Sequence, residues 1–181
     1  MKRKFLFLLF LSSISLAAAQ TATHGLPPDW HGHWRGQLQI MKPQGLGQTY
    51  PMQLVIRPLD SARYQFSIIY GEGAQAQKRP YELLVIDAAK GHYRVDEKNS
   101  ILIDARLMGN RLITWFAVGP SELVATYERV GDTIVFEILS APEKPALASG
   151  GREHQGQPIP AVNSFLANGF QRAVLHRAAD K

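Results

Sequence analysis

The sequence predicts an all-β protein, built as a closed up-and-down antiparallel β-barrel of about ten strands. Three observations carry the prediction. Apolar and polar residues alternate with a period of two along most of the chain. The breaks between these stretches are short, and most hold a residue that tolerates positive φ, as hairpin turns require. No segment shows the i, i+3, i+4 apolar stripe of an amphipathic helix; Asn163 to Ala167 could form a turn of helix and no more.

Taken in order, Trp34, Gly36, Leu38 and Ile40 alternate against Arg35, Gln37 and Gln39, which marks a strand with one buried face. After the turn residues Lys42-Pro43-Gln44-Gly45 the pattern returns as Met52, Leu54 and Ile56. Beyond Asp60-Ser61 it returns again as Tyr64, Phe66 and Ile68. A polar loop from Gly71 to Arg79 leads to Tyr81–Ala88, with Tyr81, Leu83 and Val85 on one face, and Gly91–Asp96 follows, centred on Tyr93 and Val95. Turns at Lys98-Asn99, Gly109-Asn110, Gly119-Pro120 and Gly131-Asp132 then separate Ile101–Leu107, Leu112–Val118, Leu123–Val130 and Thr133–Leu139. These are rich in β-branched and aromatic residues. Residues 140–168 break the rhythm with four prolines and two adjacent glycines and read as a long loop or flap. Phe170–Arg177 alternates once more and can pair with the first strand to close the sheet.

The start of the chain has the layout of a secretory signal peptide. Lys2, Arg3 and Lys4 precede an apolar run from Phe5 to Leu16 and the small residues Ala17-Ala18-Ala19. The expected organisation is therefore a leader at 1–19, an N-terminal extension at 20–31, one barrel domain at 32–177 and a polar tail at 178–181. With no cysteine in the chain, there is neither a lipid-modified cysteine to anchor it nor a disulfide to staple it. Stability must come from a core, which the 162 residues left after removing the leader can supply. The protein is expected to be exported, periplasmic or secreted. No later stretch is long and uncharged enough to span a bilayer as a helix. Three of the twenty Lys and Arg residues lie in the leader, so the formal charge of +5 drops to +2 on its removal. The remaining cations are scattered among acids, which argues against a nucleic-acid partner.

Short antiparallel strands can bury their apolar faces in a two-layer sandwich or in a sheet closed on itself, and successive tight hairpins favour closure over Greek-key crossovers. Gly32-His33-Trp34, at the start of the first strand, resembles the G-x-W motif of lipocalins and fatty-acid-binding-type barrels, the calycins. The resemblance implies that Trp34 plugs one end of the barrel and that an arginine of the last strand stacks over its ring. Arg172 is the candidate for that role, with Arg129 in reserve. Gly32-x-Trp34-x-Gly36 with Tyr50-Pro51 opening the next strand is also similar to the haem-binding nitrobindins. His176, however, lies beyond the segment where a proximal ligand would stand, so no cofactor is expected.

Candidate chemistry is sparse. His31 and His33, with His24 and Asp29 nearby, have the spacing of a metal chelate, yet if Trp34 points inwards His33 points out, and no metal is expected. Asp96-Glu97, or Asp104 with Asp87, could serve acid–base work if their strands are adjacent and the groups face inwards. Alternation places Asp104 outside, and Asp96-Glu97 sits at a turn. Gly119-Pro120-Ser121-Glu122 is a turn without nucleophile-elbow spacing. Arg94, Arg106 and Arg111 would form an anion patch only if adjacent. Trp115 should face outwards as a partner surface, unless the long loop covers it.

A ten-strand barrel is wider than the eight-strand type that already holds one small ligand, so a cavity is expected. The inward residues should be Leu38, Ile40, Met52, Leu54, Ile56, Tyr64, Phe66, Ile68, Leu83, Val85, Tyr93, Ile103, Phe116, Tyr127 and Phe136. This lining suits a small hydrophobic molecule, lipid or fatty-acid-like, oriented by tyrosine hydroxyls, with residues 140–168 as a lid. The alternatives are a protein-interaction module, such as an inhibitor or envelope assembly factor, and, less favoured, a barrel enzyme.

Overall fold

Residues 25–179 are described by the computed structural model. The expected leader, the first residues of the extension and the last two of the tail lie outside the described residues. Every predicted strand is present. In chain order they are β1 (Gly32–Lys42), β2 (Gly45–Pro58), β3 (Arg63–Tyr70), β4 (Gln77–Asp87), β5 (His92–Asp96), β6 (Leu102–Met108), β7 (Arg111–Val118), β8 (Ser121–Val130) and β9 (Thr133–Pro142). Four short strands follow, β10 (Leu147–Ser149), β11 (Glu153–His154), β12 (Gln157–Pro158) and β13 (Val162–Ser164), before β14 (Gly169–Arg177).

Strands β1 to β9 and β14 form one closed antiparallel barrel in which each is hydrogen-bonded to its neighbours in sequence, apart from the seal. The seal is β1 on β14, in register from Trp34 opposite Arg177 to Met41 opposite Phe170. Because side chains alternate across a strand, this register sets Leu38 beside Ala173 on the inside and Gln39 beside Arg172 on the outside. Closure leaves no barrel edge exposed to pair with another chain.

The seal requires glycine at position 36. A Cβ there would lie 2.1 Å from the carbonyl oxygen of Val174, so β1 and β14 can approach only where β1 has no side chain. Gly32 is needed for a different reason. Its φ of +147° is a backbone state that other residues rarely adopt.

One end of the barrel is solid. Trp34, Leu54, Ile56, Phe66, Leu83, Leu112, Ile134 and Leu175 are fully buried there. Each large apolar side chain removed from water in this way contributes about 1.5–3 kcal/mol. The extension crosses this end through a single 3₁₀ turn, Pro28–Trp30, and inserts Leu26 and Trp30 beneath the barrel. The indole Nε1 of Trp34 donates to the carbonyl of Trp30 at 3.1 Å, and the Leu26 amide donates to the Tyr64 hydroxyl at 3.0 Å.

The closure arginine differs from the expected one. Arg172 points out of the barrel and pairs with Glu137 at 3.1 Å. In its place Arg177 lies over Trp34, with its guanidinium carbon 4.1 Å from the ring centroid, and Arg129 stands at 5.1 Å. Periodicity alone explains the shift. Ala173 and Leu175 are buried, so Arg172 lies on the opposite face, and only the end of β14 reaches the plug. Arg177 also donates to the carbonyls of His31 and Asp29, and Arg129 to that of Asp29, so the two cations pin the extension as well as cover the indole.

Residues 140–168 are more ordered than a loop. Strands β10 and β13 form one two-stranded sheet, β11 and β12 another, and together they make an arm between β9 and β14. From Ala146 to Asn168 every residue of this arm is exposed. It is not packed over the barrel as a lid.

Candidate functional site

The end opposite Trp34 is formed by the C-terminal ends of β1, β3, β5, β7 and β9 and the starts of their partners. Here the inward series continues, but the space is not filled. A cavity of about 130 Å³ lies among Ile68, Val95, Ile103, Phe116, Ile138, Tyr70, Tyr81 and Glu97, above a floor of Thr114, Ala125, Tyr127 and Phe136. Beside it a mouth of about 410 Å³ opens among Leu38, Ile40, Tyr50, Tyr70, Gly71, Gln75, Gln77 and Gln171. Tyr70 borders both spaces. The lower walls are apolar, whereas the rim carries phenols, amides and one carboxylate, the usual division of a small-molecule site.

Pairing explains why these polar groups face inwards. Tyr70 lies opposite Met52, Tyr81 opposite Phe66, and Gln171 opposite Ile40, each beside a residue of the inward series. Glu97 extends the series Tyr93, Val95 by one step beyond β5.

Burial pushes the pKa of the Tyr70 phenol up to about 12, with the neighbouring Tyr81 adding to the effect. Burial also raises Tyr81, helped by the Glu97 carboxylate beside it. Tyr127, enclosed on the floor, is pushed up well above its ordinary value, again by burial first. The three hydroxyls therefore stay protonated and can both donate and accept. Tyr50, at the outer rim, donates to Gln48 at 2.6 Å.

The expected lining residues divide between the two ends. Leu38 and Ile40 border the mouth, and Ile68, Ile103, Phe116, Tyr127 and Phe136 border the cavity. Met52, Leu54, Ile56, Tyr64, Phe66, Leu83 and Tyr93 are instead buried in the packed core, with Val85 against it, and border neither space. Phe66, Tyr127 and Phe136 form an aromatic chain with centroids 5.0 Å apart at each step, and this chain separates the packed half from the hollow one. Sequence reading passed over Tyr70, Gln77 and Gln171, set Tyr81 on the face of Leu83 and Val85 without counting it in the lining, and left Glu97 to solvent. For Glu97 the signal was present, since it stands two residues after Val95, but its place at a turn suggested solvent.

The other candidates do not converge. His33 faces outwards to Gln53 at 2.8 Å, while the His31 ring packs against Tyr64 under the barrel, and its Nε2 is buried without a hydrogen-bond partner. Asp104 binds His92 and Arg94 on the outer surface, and Asp87 caps the 3₁₀ turn at Lys90. Arg94, Arg106 and Arg111 are each engaged separately, by Asp104, by the Lys90 carbonyl and by Glu128. Trp115 is 72% exposed and donates to Glu122, and the long arm does not cover it. His176 lies on the outer face of β14, away from both cavities.

The closed barrel has counterparts in fold among solved structures. One is a protein of unknown function from the DUF3598 family of Nostoc punctiforme, with a TM-score of 0.54 and 15% identity over 83% of this chain. The chain spans about half of that protein, 48% of its length. Another is an S-type phycobiliprotein lyase from Guillardia theta, with a TM-score of 0.52 and 7% identity, covering 84% of this chain and 90% of the lyase. The likeness is one of fold. No family model matches the chain, and no curated protein matches it in sequence. What is shared with these structures is the barrel fold, without a sequence match to the lipocalins.

Proposed function

We propose that this protein binds one small amphiphilic molecule in the open end of its barrel, with the apolar part in the cavity and the polar end at the rim. The observation that carries this reading is the contrast within a single core. Protein interiors are normally packed to crystal density, yet here the space above Tyr127 and Phe136 is left open and ringed by hydroxyls, amides and Glu97. A neighbour in fold named as a phycobiliprotein lyase is consistent with small-ligand use of such a barrel. The leader-like start of the sequence supports export, and in this reading the molecule is bound in a periplasm or outside the cell.

Native mass spectrometry with organic extraction, on protein purified gently from its own host, tests the reading. Ala125→Phe, which fills the cavity from its floor, is the control. The expected result is a retained small mass in the natural protein and its loss in the variant. Retention of the same mass by both, or a bare protein in both, would overturn it.

A second reading rests on Trp115. Its exposure beside the exposed Met108 leaves an aromatic and a thioether side chain on the outer face of β6 and β7, suited to a protein partner in the cell envelope. A Trp115→Ala variant that still pulls down the same proteins from the envelope would remove it.

A further inference from the structure

The cavity wall holds a single carboxylate, Glu97, beside Tyr81. One of its oxygens accepts from the Asn99 side chain at 3.3 Å, and the Glu97 amide donates to the carbonyl of Ile101, which fixes the turn after β5. The nearest lysine in sequence, Lys98, is engaged elsewhere, reaching Glu82 and Asp96 at 3.4 Å each. Arg79, the partner of Ile68 across β3 and β4, stands at the exposed rim. No ion pair joins Arg79 to Glu97 among the described residues. The half-buried carboxylate has lost part of its hydration and takes a hydrogen bond from Tyr81; the charge of Arg79 reaches Tyr70 and Tyr81, but among the described residues no salt bridge neutralises Glu97.

We propose that Glu97 sets the ligand class, and that the barrel takes a short apolar molecule ending in an amine. The ammonium would sit on Glu97 with the rings of Tyr70 and Tyr81 beside it, while the chain descends towards Phe116 and Tyr127. A charge-assisted hydrogen bond in a partly dry site is stronger than a neutral one, and aromatic faces add attraction for a cation. A carboxylate-ended ligand of the same length would bring a second negative charge against Glu97. The fatty-acid-like cargo expected from the barrel type is therefore disfavoured by the one charge that lines the cavity. This inference rests on the small-ligand reading above.

Calorimetric titration with octylamine, octanol and octanoate, all below their aggregation limits, tests it. Octylamine should bind about tenfold more tightly than octanol, with octanoate weakest. Glu97→Gln should remove most of the amine's advantage and leave octanol unchanged, which also shows that the variant is folded. Arg79→Gln should preserve the ranking. If octanol binds but octanoate equals octylamine, or if Glu97→Gln keeps the amine preference, the amine inference fails and the small-ligand reading stands. If none of the three binds, both fail together.

Discussion

The two ends of this barrel are made by the same strands with the same two-residue period, and they finish differently. At the Trp34 end the chain supplies its own occupant. Leu26 and Trp30 enter from below, while Arg177 and Arg129 cover the indole and hold the adjoining carbonyls of Asp29 and His31. At the opposite end the inward positions carry Tyr70, Tyr81, Gln77, Gln171 and Glu97, and none of the described residues fills the space between them. A β-barrel thus acquires a direction from its terminal residues rather than from its strands. One end is filled by the chain's own side chains, and the other is left open.

The strongest way to break this division is to remove the plug. Trp34→Ala should cost about 3–5 kcal/mol, measured by denaturant unfolding, because it empties a completely buried site. Gly36→Ala should cost about 1–3 kcal/mol through the clash of its Cβ with the Val174 carbonyl across the seal. Next comes the choice of arginine. Arg177→Gln uncovers the indole and leaves the carbonyls of His31 and Asp29 without their donor, for a loss of about 1–3 kcal/mol. Arg172→Gln breaks only an exposed pair with Glu137 and should change stability by less than about 0.5 kcal/mol. Equal effects from the two arginines would mean that the plug is not the stabilising device described here.

Acid should weaken the closed end first. Burial lowers the His31 pKa below its ordinary 6.5, outweighing the opposing pull of the Leu26 backbone and of Asp29. The unfolded chain then takes up a proton more readily than the folded one. The stability that the neutral ring contributes is complete above pH 6.5 and lost as the pH falls through the lowered value. Alkali acts on both halves with the opposite sign. Burial holds Tyr70 at the mouth and Tyr93 in the packed half up to about 12, so their contribution is complete below pH 10 and lost as pH rises towards 12. Thermal unfolding followed across pH should therefore show an acid-side decline that His31→Gln removes, and an alkaline decline that it leaves in place. An acid limb unchanged by His31→Gln would assign that sensitivity to other groups.

How far the sequence was legible follows the same division. The ten barrel strands, their antiparallel order and the inward role of Trp34 were all readable, because period-two alternation and glycine turns are local signals. Arg172 was misread because a motif-level likeness names a strand but not the residue that reaches its end, whereas Ala173 and Leu175 already placed Arg172 outside. The lining set was readable as inward but not as filled or hollow. Met52 and Phe116 look equally apolar in sequence, yet Met52 is completely buried in the core and Phe116 borders the cavity, a difference that alternation does not carry. Glu97 was hidden by its turn. A residue one step past a strand keeps that strand's facing when the next turn is hydrogen-bonded, as Glu97 is to Ile101.

The smallest effect is expected from the largest segment. The arm between β9 and β14 looks in sequence like a lid, yet its residues from Ala146 to Asn168 are exposed, and its first backbone link, Ala146 to Ser164, lies within the arm. The pairing of β9 with β14 begins at Ser140 opposite Gly169 and is reinforced by the Asn168 amide on the Ser140 carbonyl, both below the arm. Replacing residues 146–165 with a short glycine-containing turn removes no buried apolar surface from the barrel. Loop-closure entropy should favour the shortened chain by about 1 kcal/mol or less. Thermal unfolding should thus stay level or rise slightly, and octanol affinity should be unchanged if the arm does not cover the mouth. A marked loss of stability would show that the open end depends on the arm as the closed end depends on its extension. Unchanged stability with faster ligand release would instead make the arm a cover that closes only over a bound molecule.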